Sequence, residues 1–185
     1  MAALNFKGDV YAPGANTDTA LRQFVQDKLI NYPPAITRAL SHDVNQYINA
    51  NEEAADYAIR VLADKSKTGP LWLGFVENYE AVSIAAGHDV KGYTVLLPDE
   101  APRHADSVHK YDGGDQRAPT PQDYDLVWNV LAEADSLRSG GLSATGLATV
   151  IAVKKIGDEI FRCVFDVRPG KKNRSLALLS LVIKR

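Results

Sequence analysis

The chain has 185 residues, 45% hydrophobic and 24% charged, with a formal net charge of −2. That allows one good hydrophobic core with an appendage, is too short for two large domains, and is too apolar for a disordered chain. The longest apolar run, residues 176–183, is far short of the roughly 20 residues that span a bilayer, and the N-terminus lacks a basic flank followed by an apolar signal core. The sequence therefore predicts no membrane association and a cytoplasmic setting. The single cysteine, Cys163, agrees with that, since it can neither close an internal disulfide nor complete a zinc ligand set.

Residues 17–30 place Leu21, Phe24, Val25 and Leu29 at helical spacing, with Thr17 or Asp18 as the N-cap. Pro33 and Pro34 end that helix, and two more follow over residues 35–48 and 52–63. Their amphipathic faces must be buried against something, either the rest of the chain or a protein partner. Residues 66–70, with Gly69-Pro70, mark the boundary between this helical extension (1–69) and a second unit (70–185).

The texture then changes. Residues 71–76 read as a strand, 79–86 as a helix closed by Gly87, and 92–97 as a second strand stopped by Pro98. A helix is expected over 99–110, a glycine-rich loop over 111–118, and a helix over 121–132 with Thr120 as its N-cap and Pro121 in its first turn. A linker with Gly140-Gly141 and Gly146 leads to three strand-like runs, 147–155, 159–168 and 175–184, joined at Gly157-Asp158 and Pro169-Gly170. Helices followed by an antiparallel meander predict an α+β fold with helices packed on one sheet face.

The small net charge hides a gradient. Residues 1–70 hold 7 basic and 8 acidic side chains, 71–153 hold 5 and 12, and 154–185 hold 9 and 3. The basic C-terminal segment contains Lys154, Lys155, Arg162, Arg168, Lys171, Lys172 and Arg174, which suit either a phosphate-binding surface or a solvated edge protected from aggregation.

The most distinctive passage, RHADSVHKYDGGDQRAPTPQDYD over residues 103–125, gathers His104, His109, Gln116 and Arg117 with several carboxylates. In order, the LWLGFV strand, the GYTVLLP strand, a histidine pair on the next helix, a loop with glutamine, the TPQDYD helix start and the closing meander resemble the phage-associated barnase/EndoU/colicin/RelE-like nuclease domains. The resemblance covers residues 70–185 and leaves the helical first third without a counterpart. It departs from the family pattern at residues 110–112, where Lys-Tyr-Asp intervene before Gly113.

The resemblance implies a barnase/RelE-like sheet and RNA backbone cleavage without a metal or cofactor, in a toxin, effector or phage-associated setting. Such a reaction needs a base for the 2′-hydroxyl proton, an acid for the leaving 5′-oxygen and cations for the phosphate. Histidine suits both proton roles, which points to His104 and His109. Five residues on an ideal helix rotate about 140°, however, so the two imidazoles share no face unless the helix ends between them.

Arg162 and Ser180 join the catalytic set, since the resemblance places them, with Arg168, on strands lining the active face. Alternation turns Ser180 away from Leu179 and Leu181. Gln116, Arg117, Arg168, Lys171, Lys172 and Arg174 are the expected RNA contacts. Arg117 has an alternative, because Asp112, Asp115 and Asp123 surround it and it suits charge neutralisation equally. Trp72, Trp128, Tyr93, Tyr124, Phe161 and Phe165 are expected to pack. His42 and His88 lie apart from the cluster, and no histidine spacing offers a metal site. Two other classes stand beside the ribonuclease: an inert phage structural protein with the same fold, and a protein-binding module acting through the helical extension.

Overall fold

The computed structural model describes residues 52–66, 68–109, 114–170 and 173–185. The first two expected helices lie outside them. The third is α1 (Ala54–Ala63), and it turns Ala54, Tyr57, Ala58 and Val61 into the core. It is bound to the following unit rather than separate from it. The Ala55 amide donates to Asp125 Oδ1 at 3.0 Å, and Tyr57 Oη donates to the Gly69 carbonyl at 2.9 Å.

Next come β1 (Leu71–Phe75), α2 (Tyr79–Ala86), β2 (Thr94–Leu97) and α3 (Glu100–Val108). Gly87 ends α2 at φ 64°, a left-handed conformation that glycine adopts without a Cβ clash. After β3 (Gln116–Arg117), a 3₁₀ turn (Pro121–Leu126) runs into α4 (Val127–Ala132). Thr120 is the N-cap as expected, and Asp123 answers it to complete a capping box. The chain closes with β4 (Ser136–Leu142), β5 (Ala148–Ile156), β6 (Glu159–Gly170) and β7 (Asn173–Lys184).

The sheet order is β1-β2-β7-β6-β5-β4, with β3 paired to β7. Neighbours are antiparallel except β2 and β7, which run parallel with Thr94 opposite Ser175 and Leu96 opposite Ala177. The α+β class holds, but the sheet is mixed rather than a simple meander. The expected linker also contains a strand. β4 is hidden in the sequence by Gly140-Gly141, which sit at a register shift between Ser139 and Gly141. A Cβ on Gly140 would run into Thr149 Oγ1 and the Ile151 side chain, so glycine is required there for strand contact rather than for a loop. Pro169-Gly170, expected to form a turn, still pair with β7 as part of β6.

Val150 and Ala152 of β5, Phe161, Cys163, Phe165 and Val167 of β6, and Leu176, Leu178, Leu181 and Ile183 of β7 meet residues from α1, α2, α3 and α4 in one cluster. Fully burying side chains such as Phe165 and Leu178 contributes roughly 1.5–3 kcal/mol each. The described helices thus cover one face of the sheet. Trp128 and Tyr124 pack with this layer as expected, and Trp128 Nε1 donates to the Phe75 carbonyl at 3.0 Å.

Candidate functional site

Strand alternation sends every second residue to the sheet face away from the helices. On β6 these are Arg162, Val164, Asp166 and Arg168, between the core positions Phe161, Cys163, Phe165 and Val167. On β7 they are Ser175, Ala177, Ser180 and Val182. A bulge separates the last two from the first two: Phe165 pairs with Leu178 and Val164 with Ser180, which leaves Leu179 as the extra residue. Thr149, Ile151, Val153 and Lys155 of β5 face the same way, as do Arg138 of β4, opposite Ile151, and Thr94 of β2, opposite Ser175.

The register brings part of the predicted set together. Arg162 lies opposite Val182, so Ser180 is its diagonal cross-strand neighbour, at about 7–8 Å between backbones. Arg168 lies opposite Ser175. Arg162 and Arg168 are six residues apart on one strand, about 20 Å, and therefore serve different points of an extended ligand. Gln116 pairs with Lys184, and its alternation with Arg117 places it on this same face. Arg174, half-buried, lends its carbonyl to Thr94 Oγ1 at 3.3 Å, while Lys171 and Lys172 lie outside the described residues.

This face is cationic. Arg138, Arg162, Arg168 and the Lys155 ammonium make no ion pair among the described residues. The one acidic residue placed among them by the register is Asp166. Three buried polar atoms here, Arg162 Nε, Asp166 Oδ1 and Ser175 Oγ, have no hydrogen-bond partner among the described residues. Thr94, Thr149, Ile151, Asp166, Ser175 and Ala177 on this face are at most 5% exposed, so these atoms lie buried within the fold, where polar groups are normally satisfied, rather than on an open surface. Sequence reasoning missed Asp166 and Arg138. The first was legible as the residue in phase with Arg162 and Arg168, and the second was masked by the glycine pair of β4.

Arg117 is placed differently. Opposite Ile183, it turns to the helix side, with its guanidinium 6.0 Å from the Phe161 ring centroid. Nε and Nη2 donate to Glu159 at 2.5 and 2.6 Å, Nη1 and Nη2 to Asp123 at 2.7 and 2.9 Å, and Nη1 to the Ala118 carbonyl at 3.3 Å. All five N–H donors are spent, so the expected phosphate contact is corrected: Arg117 neutralises local charge. Burial alone would raise the Asp123 carboxyl, but hydrogen bonds from Arg117 and Thr120 outweigh it and hold it below the usual aspartate range. The hydrogen bonds donated by Arg117 likewise lower Glu159, and those it donates to Asp123 and Glu159 raise the guanidinium itself.

His104 and His109 do meet, edge to face, with ring centroids 5.6 Å apart. The helix ends at Val108, and His109 is its C-cap with φ −100° and ψ 0°, which relieves the 140° separation expected on an uninterrupted helix. His104 is exposed and His109 half-buried. Their helix packs against β7, and its Ala101 enters the core on the side away from Arg162.

Among the described residues no group of three or more His, Cys, Asp or Glu is gathered as a metal site, and no helix is long and apolar enough to cross a membrane. Cys163 is fully buried in the core, where desolvation raises its thiol well above the ordinary range and leaves it unreactive. In comparisons with known proteins, no family model, no curated protein and no solved structure matched this chain.

Proposed function

We propose that the chain is a metal-independent endoribonuclease, of toxin, effector or phage-associated type, whose RNA surface is the sheet face turned away from the helices. The observation that carries the reading is the set of unpaired arginines on that face, Arg138, Arg162 and Arg168, with Ser180 beside Arg162. Unpaired cations along adjacent strands suit a phosphodiester backbone.

In the proposed reaction the 2′-oxygen attacks phosphorus and the bond to the 5′-oxygen breaks, leaving a 2′,3′-cyclic phosphate and a free 5′-hydroxyl. One imidazole takes the 2′-hydroxyl proton and a protonated one supplies the leaving oxygen, the roles assigned to His104 and His109. Arg162 and the Ser180 hydroxyl, on the opposite side of the sheet from the two imidazoles, bind the RNA strand away from the bond that breaks, together with Arg168, Lys171, Lys172 and Arg174, and Gln116 contacts it from β3.

A second reading has its own observation. The histidines belong to α3, whose Ala101 packs on the opposite side of the sheet from Arg162, which suits a catalytically inert protein that binds an anionic partner on the cationic face. Incubating the purified full chain with mixed RNA in EDTA separates the two. The ribonuclease reading expects 2′,3′-cyclic phosphate ends and a loss of about 100-fold or more in His104→Ala or His109→Ala. Binding without cleavage from pH 5 to 8 would replace it with the inert reading.

A further inference from the structure

We propose that the groove between α2 and the edge strand β4 is a docking site for an extended segment of a protein partner, apolar at alternate positions and basic at its ends, which adds to the sheet beside β4. The proposal goes beyond the ribonuclease reading and does not depend on it.

β4 ends the sheet. Among the described residues it pairs with β5 and no other strand, so one row of its backbone N–H and C=O groups faces outward, a template for another strand. Such edges are commonly guarded by lysine, proline or an inward charge. Over residues 136–139 β4 has neither lysine nor proline, keeps an unbroken register with β5 from Ser136 opposite Val153 to Ser139 opposite Val150, and exposes Ser136, Arg138 and Ser139. The register shift between Ser139 and Gly141 closes this stretch at its far end. Four residues of regular strand span about 13 Å, enough to seat a short peptide.

α2 packs beside this edge, and a cavity of about 500 Å³ opens between them, with Ala81, Ile84 and Ala85 on the helix wall and Ala134, Leu137 and Ser139 on the strand wall. Ile84 is 85% exposed, and the small alanines leave room for a partner's side chains. In an added strand every second side chain turns toward α2 and enters the cavity, while main-chain hydrogen bonds to β4 hold the backbone. Arg138 also borders the cavity, but alternation turns its side chain to the other sheet face. Charge selects the occupant. Glu77 and Glu80 flank the helix wall, Glu133 and Asp135 flank Ala134, and all four are exposed. Lys154 answers Glu133 at 3.3 Å, whereas Glu77, Glu80 and Asp135 form no ion pair among the described residues. RNA and acidic segments are repelled from such a rim, and a segment with Lys or Arg beside its apolar residues is steered into it. A second copy pairing β4 with β4 would bring the same carboxylates together, which disfavours it.

The test is calorimetric titration of the full chain with three synthetic peptides: KRVTVRK, its acidic counterpart EDVTVDE, and KRVPVRK, in which proline removes a strand N–H. KRVTVRK is expected to bind and to slow amide hydrogen exchange over residues 136–139, with each of the other two weaker by about 10-fold or more. Ile84→Gln, at a position open to water, is expected to weaken KRVTVRK by about 10-fold with the melting temperature retained. Glu77→Gln together with Glu80→Gln should narrow its lead over EDVTVDE. No binding of KRVTVRK up to about 1 mM overturns the proposal whether or not any variant folds. Equal binding of KRVPVRK, which means charge attraction without strand addition, overturns it too, as does tighter binding of EDVTVDE. A wild type that self-associates in sedimentation and becomes monomeric in Ile84→Gln would overturn it by giving the groove to a second copy.

Discussion

Replacing Arg117 with methionine separates its structural role from the RNA contact expected of it. The substitution keeps most of the side-chain stem and removes five hydrogen bonds, leaving Asp123 and Glu159 facing each other without a cation. The Asp123 side chain is 8% exposed and that of Arg117 18%, whereas Glu159 at 27% keeps more water. Breaking a fully buried pair costs about 3–5 kcal/mol and an exposed one about 0–1, so this partly screened cluster should cost about 2–3 kcal/mol. For a chain of this size that lowers the melting temperature by roughly 4–12 °C. Calorimetric melts of wild type and Arg117→Met check it, with RNA cleavage measured well below both transitions. A melting temperature within about 2 °C of wild type together with abolished cleavage would refute the reasoning and make Arg117 a substrate residue.

Three further outcomes follow from the geometry. Gly74 has φ 151°, and a Cβ there would press on the Trp128 indole, so Gly74→Ala should lower stability by about 2 kcal/mol or more in urea unfolding; Gly87→Ala, strained in φ but with open space around it, should cost only about 1 kcal/mol. The Asp123 and Glu159 carboxyls titrate below their ordinary values, near 4, in the folded chain, so the stability they contribute is complete above about pH 4 and is lost as the pH falls through their lower folded values. Urea midpoints should therefore fall steeply below about pH 4, with a shallower fall in Asp123→Asn. RNA binding should weaken linearly in log–log plots against salt, and Arg168→Ala should reduce that slope by about 1 with little sequence dependence.

Much of the fold was legible because periodicity and punctuation agreed locally. The helix over 79–86 with its glycine stop, the Thr120 cap and the three long C-terminal strands stand where the sequence puts them. What was not legible depends on distant partners. Gly140-Gly141 looks like a linker until Thr149 and Ile151 are known to lie against it, and the parallel union of β2 with β7 joins segments about 80 residues apart. The helix over 54–63 reads as part of an extension, yet its apolar side completes the core.

The site was legible in the same uneven way. Two-residue alternation is enough to put Arg162 and Arg168 on one face, and it held for Ser180 because the bulge falls just before it. Arg117 could not be assigned from its neighbours, since the partner that completes its capture, Glu159, is 42 residues away. Asp166 carried its signal in plain view, in phase with two arginines, but its lack of a donor is a tertiary property.

The most direct test of the central claim is the rate of RNA cleavage in EDTA by Arg162→Ala beside the wild type, with melting temperatures measured on the same samples. If the face away from the helices holds the RNA for cleavage, cleavage falls by about 100-fold or more while the melting temperature holds, because among the described residues Arg162 is tied to no other side chain. Cleavage at the wild-type rate by Arg162→Ala would contradict the account and move the RNA off that face.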